Sequence, residues 1–210
     1  MQLGLFETDK SELAHITKQK SAPPIDGLSY IPDFISDVEH KEIWEAVNKE
    51  TWLNDLKRRV QHYGYKYDYK KKSIDYSMYI GSIPEWTRFI AERIVSKGYM
   101  KHLPDQLIIN EYEPGQGIAD HIDCEPCFED TIISLSLGSC CIMEFKNKLD
   151  RRDKYEHLLE PKSLVVIAGE ARYHWTHGIP ARERDVCLER TIFRKRRISL
   201  TFRKVILAKE

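Results

Sequence analysis

Hydrophobic positions change their period once along this chain. From Ser36 the sequence reads SDVEHKEIWEAVNKETW, placing Val38, Ile43, Trp44, Val47 and Trp52 at roughly helical intervals. Ser36 suits an N-cap, and Glu39 three residues later completes a capping box. The stretch PEWTRFIAERIVSKGY predicts a second helix, opened by Pro84 and closed by Gly98. Between the two, RRVQHYGYKYDY is aromatic, basic and broken by Gly64, which reads as a short strand or hairpin. After Pro104 the helical period disappears. DQLIINEY, DTIISLSLG, CCIMEF, SLVVIAG, RYHWTHGI and RISLTFRKVIL are short β-rich runs separated by turn residues, the spacing of a barrel or sandwich. The expected fold class is α+β, with two N-terminal helices supporting an all-β core. Residues 1–24 are polar, end in Pro23-Pro24 and read as a flexible arm, leaving 25–207 as one domain.

Composition narrows the class without naming a function. The chain has 210 residues, 41% apolar and 31% charged, enough for one substantial core under a charged surface. No apolar run approaches the ~20 residues of a membrane span, and the N-terminus lacks the pattern of a secretory signal. A soluble, cytoplasmic protein is expected, or a nuclear one if the source is eukaryotic, acting as a monomer. The five cysteines are Cys124, Cys127, Cys140, Cys141 and Cys187. Cys124 and Cys127 have zinc-like spacing, but no second couple completes a site, so reduced and partly packed thiols are expected. Adjacent Cys140 and Cys141 would point to opposite faces of a strand. Net charge is zero, yet LKRRV (56–60), YKKKS (69–73), LDRRD (149–153) and FRKRR (193–197) permit an asymmetric basic surface.

Candidate chemistry begins at NEYEPGQGIADHID, residues 110–123. In an extended strand His121 and Asp123 face one side together. A hairpin with a polar edge strand would explain them, and so would two metal ligands. His177, beside Gly178 in WTHGI, is the best placed third ligand, while His174 next to Trp175 could belong to an aromatic cluster. Two histidines and one carboxylate on one face of an ion are the arrangement of non-haem Fe(II) oxygenases. The last strand shifts the balance. In RISLTFR, Ile198, Leu200 and Phe202 share an apolar face, whereas Arg197, Ser199, Thr201 and Arg203 share the other, with guanidiniums about 20 Å apart at strand rise. Arginine suits forked recognition of carboxylates. One could hold a dicarboxylate, while the other supports the metal's carboxylate or the second end of the same molecule. Asn110 and Tyr112 likewise share a face, offering an amide and a phenol.

NEYEPGQGIADHID, SLSLGS, GEARYHWTHGI and RISLTFR, in that order over roughly residues 28–205, resemble the AlkB family of Fe(II)- and 2-oxoglutarate-dependent dioxygenases. RRVQHYGYKY and LPDQLIINEYEPGQGIADHID are similar to the branch that hydroxylates a modified wobble uridine in tRNA. The resemblance implies a double-stranded β-helix (jelly-roll) core with a nucleotide-recognition lid, and a reaction using Fe(II), 2-oxoglutarate and O₂. By position, His121, Asp123 and His177 match the iron ligands, and Asn110, Tyr112, Arg197, Ser199 and Arg203 match contacts to 2-oxoglutarate. Tyr65 resembles a lid residue beside the flipped base, Glu125 a base-discriminating acid, and Arg151 part of a phosphate-contacting loop. Tyr63, Tyr65 and Tyr67 could stack on a base.

The resulting expectation is an oxidoreductase acting on DNA or RNA, demethylating N-alkylated bases such as 1-methyladenine and 3-methylcytosine. Hydroxylation of a wobble uridine in tRNA is the alternative with the same chemistry. A non-catalytic nucleic-acid-binding β-barrel is the alternative of another class, and the full ligand set with two arginines argues against it. A zinc hydrolase would leave those arginines without a role. At the start, QLGLF (Gln2 to Phe6) resembles the peptide by which bacterial repair proteins dock on the sliding clamp, so the clamp is a further candidate partner.

Overall fold

The computed structural model describes residues 23–54, 57–67 and 73–207. The first twenty-two residues, and with them the arm and its Gln2–Phe6 motif, lie outside the described residues, as do 69–72 of the second basic run.

Among the described residues there are thirteen strands and three α-helices, and eleven of the strands build two facing sheets. A seven-stranded antiparallel sheet has the order β1-β9-β6-β13-β4-β2-β3. Its members are β1 (Leu28–Ile31), β2 (Val60–Tyr65), β3 (Tyr79–Gly81), β4 (Gln106–Tyr112), β6 (Ile132–Gly138), β9 (Leu164–Ile167) and β13 (Arg197–Arg203). A four-stranded sheet has the order β5-β10-β7-β8 and is made of β5 (Ile118–His121), β7 (Cys141–Asn147), β8 (Lys154–Leu159) and β10 (Trp175–Ile179). The two sheets form a double-stranded β-helix.

Both helices form where the sequence places them. α1 (Asp37–Lys49) starts at the expected capping box: Ser36 Oγ accepts from Glu39 N at 3.2 Å, and Glu39 Oε2 accepts from Ser36 N at 2.8 Å. α2 (Arg88–Ser96) follows a 3₁₀ turn over Glu85–Thr87, and Gly98 ends it at φ 74°. Ile43, Trp44 and Val47 of α1 and Ile90 and Ile94 of α2 bury against Leu107, Ile109, Leu135, Ile198, Leu200 and Phe202. The helices therefore cover the outer face of the large sheet. Emptying one such position, as in Phe202→Ala, costs roughly 3–5 kcal/mol. Val38 does not join this face; it is exposed, and His40 is buried in its stead, accepting from Gly138 N through Nε2 at 3.2 Å.

Each of the six β-rich runs supplies a strand, although RYHWTHGI opens in a helix that ends at Tyr173 and is strand only from Trp175, and the aromatic stretch supplies β2. The segment between His177 and the last strand folds as a separate hairpin, β11 (Arg184–Cys187) with β12 (Arg190–Phe193). Its turn, Leu188-Glu189, has φ 48° and 65°, a left-handed turn without glycine or asparagine and so without a sequence signal. α3 (Gly169–Tyr173) links β9 to β10. No helix among the described residues is long and apolar enough to cross a membrane.

Candidate active site

Between the sheets opens a cleft of about 1630 Å³ whose wall includes His121, Asp123, His177, Asn110, Tyr112, Ser199, Thr201 and Arg203. Sheet register brings these distant segments together. His177 on β10 lies opposite His121 on β5, and Arg197, Ser199 and Arg203 on β13 lie opposite Tyr112, Asn110 and Gln106 on β4. Alternation then points Ser199 and Arg203 into the cleft and Leu200 and Phe202 into the helix-covered core. Gly178 makes the β5–β10 approach possible: a Cβ there would meet Asp120 Oδ1 at 2.6 Å and Ile118 O at 3.0 Å.

At the floor, His121, Asp123 and His177 each offer a ligand atom, all within 4.8 Å of one another. The imidazole centroids of the two histidines are 4.4 Å apart, and His177 Nε2 lies 3.4 Å from Asp123 Oδ2. His121 Nδ1 is 2.9 Å from Ala119 O. A carbonyl only accepts, so Nδ1 carries the proton and Nε2 keeps its lone pair for the cleft.

Asp123 is divided in the same way. Oδ1 is ion-paired with Arg203 Nη2 at 2.5 Å, while Oδ2, fully enclosed, accepts no hydrogen bond among the described residues. A buried carboxylate oxygen left in this state fits a cation. Burial raises the affinity of Asp123 for a proton, but Arg203, His177, His121 and Arg172 together outweigh it and hold the group below the usual carboxylate range. His177 is pushed down to about 3, first by burial and then by His121, against the pull of Asp123. An ionised Asp123 beside a neutral His177 suits a divalent metal, which binds deprotonated ligands.

The chain after Asp123 is held by a residue to which sequence reading assigned no part. Arg172, on α3 and 2% exposed, donates from Nη1 to Asp123 O at 2.8 Å and from Nη2 to Cys124 O at 3.2 Å. The sequence signal was a lone arginine among small and aromatic residues in GEARYHW, five residues before His177. The expectation of five reduced thiols needs correction here. Cys124 and Cys127 are joined as a disulfide directly after Asp123, because the turn between them brings Cys127 N to within 3.2 Å of Cys124 O. Cys140, Cys141 and Cys187 are free and buried. Cys140 packs with Ile142 and Cys187 while Cys141 packs with Met143, the opposite faces expected of neighbours on a strand.

The two arginines of β13 take different places. Arg203 lines the cleft and supports Asp123. Arg197, 2% exposed, lies over the Tyr112 ring at 5.4 Å and donates to Ser136 Oγ at 2.8 Å, with Nε and Nη1 unpaired among the described residues. Ser199 Oγ is 2.8 Å from Ser134 Oγ. Asn110 Oδ1 accepts from Arg58 Nε at 2.8 Å.

The residues assigned to substrate are scattered over the rim. Glu125 is exposed, 3.6 Å from Lys148 Nζ. Arg151 reaches Asp120 Oδ2 at 3.2 Å and Thr176 Oγ1 at 3.4 Å, and Lys146 binds the same carboxylate at 2.7 Å. Tyr65 packs on Tyr79 with centroids 5.2 Å apart, whereas Tyr67 lines the cleft and lies 5.9 Å from Phe128. His174 is off the site, paired with Glu170 at 2.6 Å. The basic run 193–197 is not an open surface: Arg194 grips Asp185 through two hydrogen bonds of 2.6 and 2.7 Å, and Arg196 binds Glu111 at 2.6 Å.

The family model of the 2OG-Fe(II) oxygenase superfamily matches residues 47–203, the span that contains every one of these cleft residues. The chain belongs to this superfamily. Within it the chain is an AlkB-family dioxygenase. It is 42% identical over 174 residues to the mouse tRNA (carboxymethyluridine(34)-5-O)-methyltransferase ALKBH8, covering 79% of this chain and 26% of that protein. It is 36% identical over 221 residues to the Arabidopsis thaliana alkylated DNA repair protein ALKBH8 homolog, 95% of this chain and 64% of that one. It is 35% identical over 192 residues to the protein L905 of Acanthamoeba polyphaga mimivirus, covering 91% of each. The chain thus spans about a quarter of the mouse relative and just under two thirds of the Arabidopsis one. The solved structure of OsALKBH1 superposes with a TM-score of 0.66 at 16% identity, over 89% of this chain and 99% of that one, which shows the shared AlkB-type fold. As a superfamily member the dioxygenase uses Fe(II), 2-oxoglutarate and O₂.

Proposed function

We propose that this dioxygenase oxidises an alkyl carbon on a base of a nucleic acid, with removal of N-methyl groups from bases such as 1-methyladenine and 3-methylcytosine as its main reaction. The observation that carries the reading is the floor of the cleft, where two imidazoles and an otherwise unbonded carboxylate oxygen converge under a wall bearing Arg203, Asn110 and Ser199. His121, Asp123 and His177 would hold Fe(II). Asn110, Tyr112, Ser199, Arg197 and Arg203 would receive 2-oxoglutarate. When bound, iron and 2-oxoglutarate would activate O₂, one oxygen atom turning a C–H bond into C–OH and the other entering succinate as CO₂ is released.

The protein's own share is positional. Arg203 fixes one oxygen of Asp123, so the other would be left to hold the metal. The Ala119 carbonyl fixes the tautomer of His121. Arg197 presents unpaired guanidinium nitrogens in a buried setting, where a carboxylate at the far end of the co-substrate would satisfy them. Lys148 and Arg151 at the mouth suit a phosphate backbone, with the base turned into the cleft past Tyr67. A methyl on a ring nitrogen, once hydroxylated, leaves as formaldehyde and restores the base. The repair reading is supported by the Arabidopsis relative, named for alkylated DNA repair, whose match covers nearly all of this chain.

Hydroxylation of a substituent on the wobble uridine of tRNA is favoured by a different observation, the higher identity to the mouse protein named for carboxymethyluridine 34. There the hydroxylated carbon would persist. Incubation with Fe(II), ascorbate and 2-oxoglutarate, followed by mass spectrometry of methylated single-stranded DNA and of modified tRNA, separates the two. Loss of a methyl group from 1-methyladenine or 3-methylcytosine supports repair. A gain of one oxygen on uridine, with the methylated bases untouched, replaces it by tRNA modification. Absence of succinate with every substrate would reject both.

A further inference from the structure

Arg58 is the one guanidinium on the cleft wall that has neither a carboxylate partner among the described residues nor a place in the assignment above. It precedes β2, where Val60 pairs with Asn110 and Glu111 N donates to Arg59 O at 3.0 Å. Strand alternation separates the two neighbouring arginines. Arg59 turns to the outer face, bound to Glu111 and over Trp52 at 5.2 Å. Arg58 turns to the cleft, where its Nε donates to Asn110 Oδ1 at 2.8 Å and its Cζ lies over the Tyr112 ring at 5.5 Å. Arg197 lies over that same ring at 5.4 Å.

A guanidinium nitrogen can only donate, so Asn110 must turn its carbonyl oxygen to Arg58. Its other end, the Nδ2 amide, then faces away from Arg58 and donates to no residue among those described. An asparagine without this partner can rotate its amide by half a turn at little cost and present an acceptor in place of the donor. A molecule with a keto group and two carboxylates offers only acceptors, and it gains from the donor alone.

We infer that Arg58 is a positioning residue for 2-oxoglutarate: it fixes the amide of Asn110 with its donor toward the co-substrate and, with Arg197, clamps the phenol ring of Tyr112. The inference rests on the co-substrate assignment under Proposed function. It concerns co-substrate affinity and leaves metal affinity alone, since Arg58 touches none of His121, Asp123 and His177.

The test is calorimetric titration of 2-oxoglutarate into the full chain loaded with Mn(II), which binds the same donors without turnover. Losing one hydrogen bond of a charged group lowers affinity about tenfold, so Arg58→Met should bind 2-oxoglutarate about tenfold more weakly than wild type with Mn(II) affinity unchanged. Arg58→Lys, which keeps a donor, should recover part of the loss. In an Asn110→Ala background the same Arg58→Met change should alter affinity less than about threefold, because the main route is gone and only the contact with the Tyr112 ring remains. Thermal unfolding establishes that each variant is folded, and Arg58→Leu replaces the Met variant if that one is not. Wild-type affinity in Arg58→Met, or a full loss that persists without Asn110, overturns the inference. Failure of the Mn(II)-loaded wild type to bind 2-oxoglutarate overturns the co-substrate assignment itself.

Discussion

The floor of the cleft and its rim are built from the same kinds of side chain, used in opposite ways. At the floor Asp123, Arg203 and Arg172 are largely enclosed and each group has a set direction: Arg203 on one oxygen of Asp123, Arg172 on the carbonyls that follow it, and the Ala119 carbonyl on His121. At the rim the charges pair with one another closer to solvent: Arg151 and the half-buried Lys146 on Asp120, Lys148 near Glu125. Exposed pairs contribute about 0–1 kcal/mol and exchange partners readily, whereas breaking an enclosed pair costs about 3–5 kcal/mol. The difference teaches where each task belongs. A metal needs ligands that do not move, while a polyanion needs cations that can leave one partner for another.

Substitutions at the floor should therefore have the larger effects. His121→Ala should abolish Fe(II) binding, read by metal titration, and reduce succinate formation to background; full turnover in this variant would break the ligand assignment. Arg172→Met should cost about 4 kcal/mol of stability, because two carbonyls lose a charged donor, and should weaken metal binding about tenfold through Asp123. A denaturation midpoint equal to wild type would show that Arg172 is not what holds the segment.

His157 sharpens the comparison, being as enclosed as the floor but away from the cleft. Its Nδ1 meets Tyr155 Oη at 2.7 Å, and burial pushes it down to about 4. The unfolded chain takes up a proton near pH 6.5 and the folded one only near 4, so the unfolded state binds more protons in between. Stability should therefore fall as pH drops from about 6.5 to 4, by about 3 kcal/mol for this group. His157→Phe should lessen the fall of the denaturation midpoint across that window, to which the buried His177 also contributes, and an unchanged slope would assign the loss elsewhere. At the rim, Arg151→Ala should raise the KM for a nucleic-acid substrate severalfold and lower the salt slope of binding by about 1. Its 2-oxoglutarate turnover without substrate should stay as it was; a fall there would make Arg151 part of the floor.

How much of this could be read from sequence follows the same division. The floor was legible because register and alternation carry it. His121 and Asp123 stand two apart, and Ser199 and Arg203 follow from the period of β13. Asn110 and Tyr112 follow from that of β4. The capping box at Ser36 was legible because it is local. Val38 was misread since a helix start can expose an apolar residue while the next turn buries a histidine. Arg172 and Arg58 were missed because their partners are backbone and amide groups brought close only by the fold. The basic run 193–197 misled for a related reason, as Glu111 and Asp185 consume its charges from 85 and 9 residues away.

The buried Glu111 has a consequence for assembly of the sheet. A slip of β2 by one residue against β4 would exchange the two faces of the incoming strand. Arg58 would then meet the outer surface and Arg59 the cleft, and the 2%-exposed Glu111 would lose Arg59, one of its two guanidiniums. The pair of unlike partners at 110 and 111, one an amide and one an acid, thus favours the correct alignment of the two strands, in which Arg58 meets the amide and Arg59 joins Arg196 on the acid.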